Sequence, residues 1–206
     1  MSEKSKIIIV RHGDTPMNTR RVLQGTNDSQ EAWLNERGLL QAAEVAQKIN
    51  ENVVHAVVTS PLQRARQTAE IIAQYYKNIP VIVYSEFRER DYGEFESLPS
   101  AAFDIVRNQL RLLSQDERLP FRHSNEESEG EVLSRFSLGI KRVVTNYPGK
   151  TVIITSHGSA MRNFIHHGLA DPRLVNPSVG NTAFVKFETD GKNHSVLDFH
   201  NIKVKS

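Results

Sequence analysis

Cysteine is missing from all 206 residues, which rules out disulfides, thiolate nucleophiles and Cys-ligated zinc or iron–sulfur sites. Charge of one sign is lacking too. The 26 Lys and Arg against 24 Asp and Glu leave a formal +2, too little for a general nucleic-acid binder. That slight basic balance suits a small anionic substrate. Long hydrophobic runs are absent: the first, residues 7–10, ends at Arg11, far short of a signal-peptide core or a membrane span. The expectation is a cytoplasmic protein with no membrane partner and no nucleic-acid partner. Internal repeats and disordered linkers are also missing, so residues 1–206 are expected to form one domain.

What is present alternates. Residues 6–10, 53–59, 79–84 and 151–155 are β-branched apolar runs and read as short, fully buried strands of a parallel sheet. Helical patterns lie between them. Residues 35–50 place Leu39, Leu40, Ala43, Val45, Ala46 and Ile49 on a buried stripe. Ser60-Pro61-Leu62-Gln63 reads as a capped helix start for a helix reaching about residue 76. Further helices are expected over 129–147, where glutamates favour the N-terminus, and from His157 to near Gly168. The order predicts a doubly wound α/β fold, its mainly parallel sheet flanked by helices, with right-handed crossovers. Residues 95–127 break the pattern; with one helix over 101–114, they read as a lid inserted above the sheet. Residues 181–187 and 195–200 alternate as a hairpin around Asp190-Gly191 that closes the sheet edge.

The chemistry sits at strand ends. Arg11-His12-Gly13 follows the first strand, and in open α/β sheets ligands bind at the carboxyl ends of strands. A buried Arg and His are expensive without a partner, and an anion supplies one. Gly13 admits close backbone approach, and Asp14 to Asn18 add hydrogen-bonding groups. Arg64 follows the second strand, where its planar donors suit phosphate oxygens; Arg66, two residues on, faces elsewhere. Ser156-His157-Gly158 follows the fourth strand, its helix pointing a positive end at the same edge. Phe87-Arg88-Glu89-Arg90-Asp91-Tyr92-Gly93 follows the third.

Taken in order, Arg-His-Gly, Ser-Pro-Leu-x-Arg-Ala-x-Gln-Thr-Ala, Arg-Glu-x-x-x-Gly and Ser-His-Gly resemble the phosphoglycerate-mutase-like branch of the histidine phosphatase superfamily. Arg21 to Gly25, Leu34 to Gly38 with Gln41-Ala42, Glu127-Ser128 with Glu131 and Arg135, and Asn181-Thr182-Ala183 also fall where that branch has related segments. The resemblance implies a phosphoglycerate-mutase-like fold and a phosphatase that needs no metal or organic cofactor. It makes His12 the nucleophile and places Arg11, Arg64 and His157 around the transferred phosphoryl group. Glu89 becomes the acid that protonates the leaving oxygen and then activates water, with a raised pKa expected beside the phosphate. Asn18, Arg21, Gly25 and Gly158 are expected to contact a small phosphorylated substrate. Arg20-Arg21 reads equally as a solvated turn or a second anion site. A homodimer is compatible with the sequence.

The chain departs from the family pattern at Glu94-Phe95-Glu96-Ser97 and at Glu126, where the family often has Glu-Trp-Glu-Gly and a glycine. A mutase resembles a longer chain with a lysine-bearing stretch after its Arg-His-Tyr-Gly; that lysine is absent after Gly93, which favours hydrolysis. A catalytically inactive phospho-ligand or interaction module on the same fold is the rival from another class, but it has no need of five costly groups together. Gly149-Lys150-Thr151 lacks the first glycine of a P-loop and precedes a strand instead of following one. His166-His167 have no carboxylate at ligand spacing and read as surface or helix-end residues; Trp33 and Phe103 read as packing residues, Phe103 under the lid.

Overall fold

The computed structural model describes residues 3–204. Its organising element is β1 (Ser5–Arg11), whose Ile7, Ile8, Ile9 and Val10 are all fully buried. Burial on both faces follows from its place in a six-stranded sheet. β1 pairs in parallel with β4 (Thr151–Ser156) and antiparallel with β5 (Pro177–Thr189). With β2 (Ala56–Thr59), β3 (Val81–Val83) and β6 (His194–Val204), the order is β3-β2-β4-β1-β5-β6. Four strands are parallel and the last two form the expected hairpin, longer at both ends than its alternation suggests. β3 corrects the sequence reading. It is an edge strand of three residues, and Val81 and Val83 are 37% and 47% exposed.

One sheet face is covered by α2 (Glu36–Ile49) and α3 (Gln63–Tyr75), packed on Ile8 and Val10. Asn35 caps α2 by accepting from the Gly38 N–H. The buried stripe of α2 is Gly38, Ala42, Val45, Ala46 and Ile49, whereas Leu39, Leu40 and Ala43 are exposed. Gly38 decides this, because its backbone lies against that of Asp14 and turns its own face inward. α3 starts at Gln63, later than the capping pattern implies. Ser60 is no N-cap; its hydroxyl accepts from the Leu62 N–H within the turn before the helix.

The other face carries α6 (Glu129–Asn146) and α7 (Gly158–Asn163), which continues as a π-helix over Phe164–Leu169. Ser128 and Glu131 form a capping box at the start of α6. Above the strand ends sit α1 (Pro16–Thr19) and the segment between Gly93 and Ser128. The single helix expected over 101–114 is a 3-10 turn, Ser100–Phe103, running into α4 (Asp104–Leu112); α5 (Gln115–Arg118) follows. Phe103 packs there with Leu23, Tyr92, Phe95, Val106 and Leu110. Among the described residues no helix is long and apolar enough to cross a membrane.

Candidate active site

His12 is buried, with Nδ1 2.7 Å from the Gly13 carbonyl oxygen. A carbonyl only accepts, so Nδ1 carries the ring proton and Nε2 keeps its lone pair. Burial, then Arg64 and Arg11 beside it, push the His12 pKa well below 6.5, and the imidazole is neutral at pH 7. The loop behind it is held by backbone contact: a Cβ on Gly13 would clash with the Gly38 carbonyl oxygen. Gln41 accepts from the Asp14 N–H at 2.8 Å, and the Asp14 carboxylate takes the Thr19 hydroxyl and the Asn35 amide.

Arg64 is fully buried and donates through its two Nη atoms to the carbonyls of Gly25 (2.7 Å) and Asn27 (2.9 Å). Burial lowers its pKa to about 10, which leaves it cationic at neutral pH. Arg66 is exposed, as its spacing implied. Arg11 donates to the Val179 carbonyl at 2.8 Å and lies against Gly158, where an added Cβ would stand 3.2 Å from its Nε. His157 Nε2 is 2.7 Å from the Ser60 hydroxyl, and its ring centroid is 5.2 Å from that of His12. Burial, Arg64 and His12 push the His157 pKa well below 6.5. Arg11 Nε, Arg64 Nε and His157 Nδ1 are buried without a partner, the kind of donor set that an anion satisfies.

Glu89 accepts from three backbone N–H groups: Arg90 (2.9 Å) and Ala160 (2.8 Å) on Oε1, Ser159 (3.1 Å) on Oε2. The first turn of α7, read from sequence as facing the anion, thus spends N–H groups on this carboxylate. Arg135 clamps the loop that carries Glu89, donating to the carbonyls of Glu86, Arg88 and Glu89 while paired with Glu127. Spacing alone leaves Arg135 without a task, because its carbonyl partners lie too far along the chain.

Arg11, His12, Arg64 and Glu89 line one cleft of about 930 Å³, which also takes in Asn18, Arg21, Gly25 and Gly158, while His157 lies buried behind it against His12. Arg21 therefore belongs to the cleft, while Arg20 pairs with Glu31 on the surface. The far half of the cleft went unseen in the sequence. Arg90 is buried with both Nη atoms unpartnered, its guanidinium 5.2 Å from the Phe103 ring centre. Arg107, Arg111, Arg118 and Arg162 line the same half. Glu129 stands among them. Burial opposes its ionisation, but His167, Arg118, Arg162 and Arg90 hold its pKa down to about 2. His167 is thus no surface residue: its side chain is 3% exposed and faces Glu129. Glu126, where the family pattern has glycine, is buried and accepts from the N–H groups of His123 and Ser124 at the end of the lid. Among the described residues no three His, Asp or Glu gather as a metal site.

Known proteins resemble this chain along most of its length. The family model described as "Histidine phosphatase superfamily (branch 1)" matches residues 7–202. The "Uncharacterized phosphatase PhoE" of Bacillus subtilis (strain 168) is 32% identical over 92% of this chain and 94% of its own length. The "Probable phosphoglycerate mutase GpmB" of Cronobacter sakazakii is 34% identical over 76% of this chain and 71% of its own. A crystal structure of phosphoserine phosphatase from Entamoeba histolytica, in complex with 3-phosphoglyceric acid, superposes with a TM-score of 0.77 at 26% identity, covering 95% of this chain and 96% of that one.

Proposed function

The chain belongs to the histidine phosphatase superfamily, and from that membership we propose that it hydrolyses a small phosphomonoester through a phosphohistidine on His12. One observation carries the reading: a buried, neutral imidazole keeps its Nε2 lone pair beside two arginines whose Nε atoms lack partners. Nε2 attacks phosphorus as the bond to the leaving oxygen breaks, and Glu89 gives that oxygen a proton. Water then attacks the phosphohistidine, Glu89 takes its proton, and inorganic phosphate leaves with His12 restored. Arg11, Arg64, His157 and Asn18 hold the equatorial oxygens. His157 Nε2 meets the Ser60 hydroxyl, and in the tautomer that accepts from Ser60 the Nδ1 proton is the donor to phosphate. Two guanidinium groups neutralise charge where other phosphoryl-transfer enzymes use a metal, so the reaction needs none.

The cationic far half favours a substrate with a second acidic group. The E. histolytica relative, a phosphatase holding a phosphorylated carboxylic acid, supports that choice. The test is phosphate release across a panel of phosphomonoesters, with and without exhaustive chelation. Hydrolysis that survives chelation and prefers phosphorylated carboxylic acids supports the reading. Phosphoryl return to bound glycerate in place of water would make the protein a mutase, and a strict magnesium or zinc requirement would overturn the mechanism.

A further inference from the structure

β5 is interrupted where it passes the active site. Its register against β6 shifts between Val179 and Phe184, and within that bulge Thr182 has φ 53°. A β-branched residue in the left-handed region is strained, and strain of this kind persists only where the surroundings impose it. The bulge touches the nucleophile segment at several points. The Val179 carbonyl accepts from Arg11, and the Thr182 N–H reaches the His12 carbonyl at 3.4 Å. Asn181 Nδ2 stands 3.3 Å from the His12 carbonyl and 3.1 Å from Asn18 Oδ1. Behind it, Asn201, itself at φ 53°, donates to the Asn181 carbonyl at 2.9 Å.

The orientations of both amides follow. The His12 carbonyl only accepts, so the Asn181 atom facing it is the nitrogen. The same nitrogen faces Asn18, so Asn18 presents its oxygen there and has its NH2 free for the cleft it lines. We propose that Asn181 is a positioning residue: by donating at once to the His12 carbonyl and to Asn18 Oδ1, it turns the Asn18 amide so that NH2, not oxygen, meets the transferred phosphoryl group. This rests on the phosphoryl-transfer reading of the site. An unrestrained Asn18 amide would turn over half its orientations with an acceptor toward a phosphate, where an oxygen is repelled.

The experiment is a double-mutant cycle, read in vanadate inhibition and in kcat/KM. Asn181→Ala should weaken both by about 10-fold, and Asn18→Ala by about as much or more. The double variant should be no worse than Asn18→Ala alone, because Asn181 acts through Asn18. Asn181→Asp keeps size while removing the donor. It should lose more than Asn181→Ala, since its oxygens draw the Asn18 NH2 away from the cleft; it also serves if the alanine variant fails to fold. Losses that multiply in the double variant, or an Asn181→Asp variant equal to wild type, overturn the proposal. Absence of phosphate release from every phosphomonoester, with vanadate binding still following the cycle, would sink the hydrolase reading and leave this one standing.

Discussion

The Ser60 hydroxyl oxygen lies 2.7 Å from His157 Nε2, with both residues fully buried, which ties the turn after β2 to the end of β4. Ser60→Ala would leave Nε2 without a partner in a ring whose Nδ1 already has none. Stability should fall by about 1–3 kcal/mol, the cost of a buried unsatisfied polar atom. Turnover should fall about 10-fold as the His157 ring loses the contact that holds it. Thermal unfolding and steady-state kinetics measure the two effects separately. Unaltered turnover would remove Ser60 from the support of His157.

Capture through nitrogen can be seen directly. Brief mixing with substrate, followed by an acid-free quench, should leave a phosphoryl group on His12 that is stable to alkali and labile in acid. His12→Ala should carry none. Label on a serine would mean a different nucleophile.

Both active-site histidines are neutral in the folded protein, and burial is the larger cause for each. Unfolded, they return to an ordinary value near 6.5. As pH falls through 6.5 the unfolded chain binds protons that the native state refuses. Their stabilising contribution is thus complete above that pH and is lost as pH falls toward the depressed folded values. The melting temperature of His157→Asn should depend less steeply on pH between about pH 7 and pH 5 than that of wild type. Parallel slopes would mean that the histidines are not what titrates.

Glu89 is the proposed acid among five carboxylates between Glu86 and Glu96. Glu89→Gln should reduce turnover by about 10²–10⁴ on substrates with poor leaving groups and far less on an activated aryl phosphate. Should Glu94→Gln show that selective loss instead, the acid is Glu94.

Much of the site was legible because its residues directly follow buried β-branched runs. Arg11-His12, Arg64, Glu89 and His157 could each be placed at one sheet edge without coordinates. What escaped depends on distant backbone. The exposed side of α2 is set by Gly38 against Asp14, a contact that periodicity cannot register. Whether Val81 and Val83 are covered depends on strand order, and β3 is at an edge. Arg90 lies next to Glu89 in sequence, yet its place in the cleft depends on Phe103 packing against it, a contact that spacing cannot show. Ser60 carried the right signal, a hydroxyl at a helix entrance, but its second contact comes from the end of the neighbouring strand β4, 97 residues along the chain.

The position of β1 has a consequence for biosynthesis. It is made before both strands that flank it, for Lys6 pairs with Thr151 on one side and Glu188 on the other. A ribosome that has paused before β5 therefore holds a chain with His12 already translated and one flank of its strand open. Arg11 then lacks the Val179 carbonyl that it donates to, and Asn18 lacks Asn181. Catalytic competence should arrive as a single late event when β5 emerges and docks.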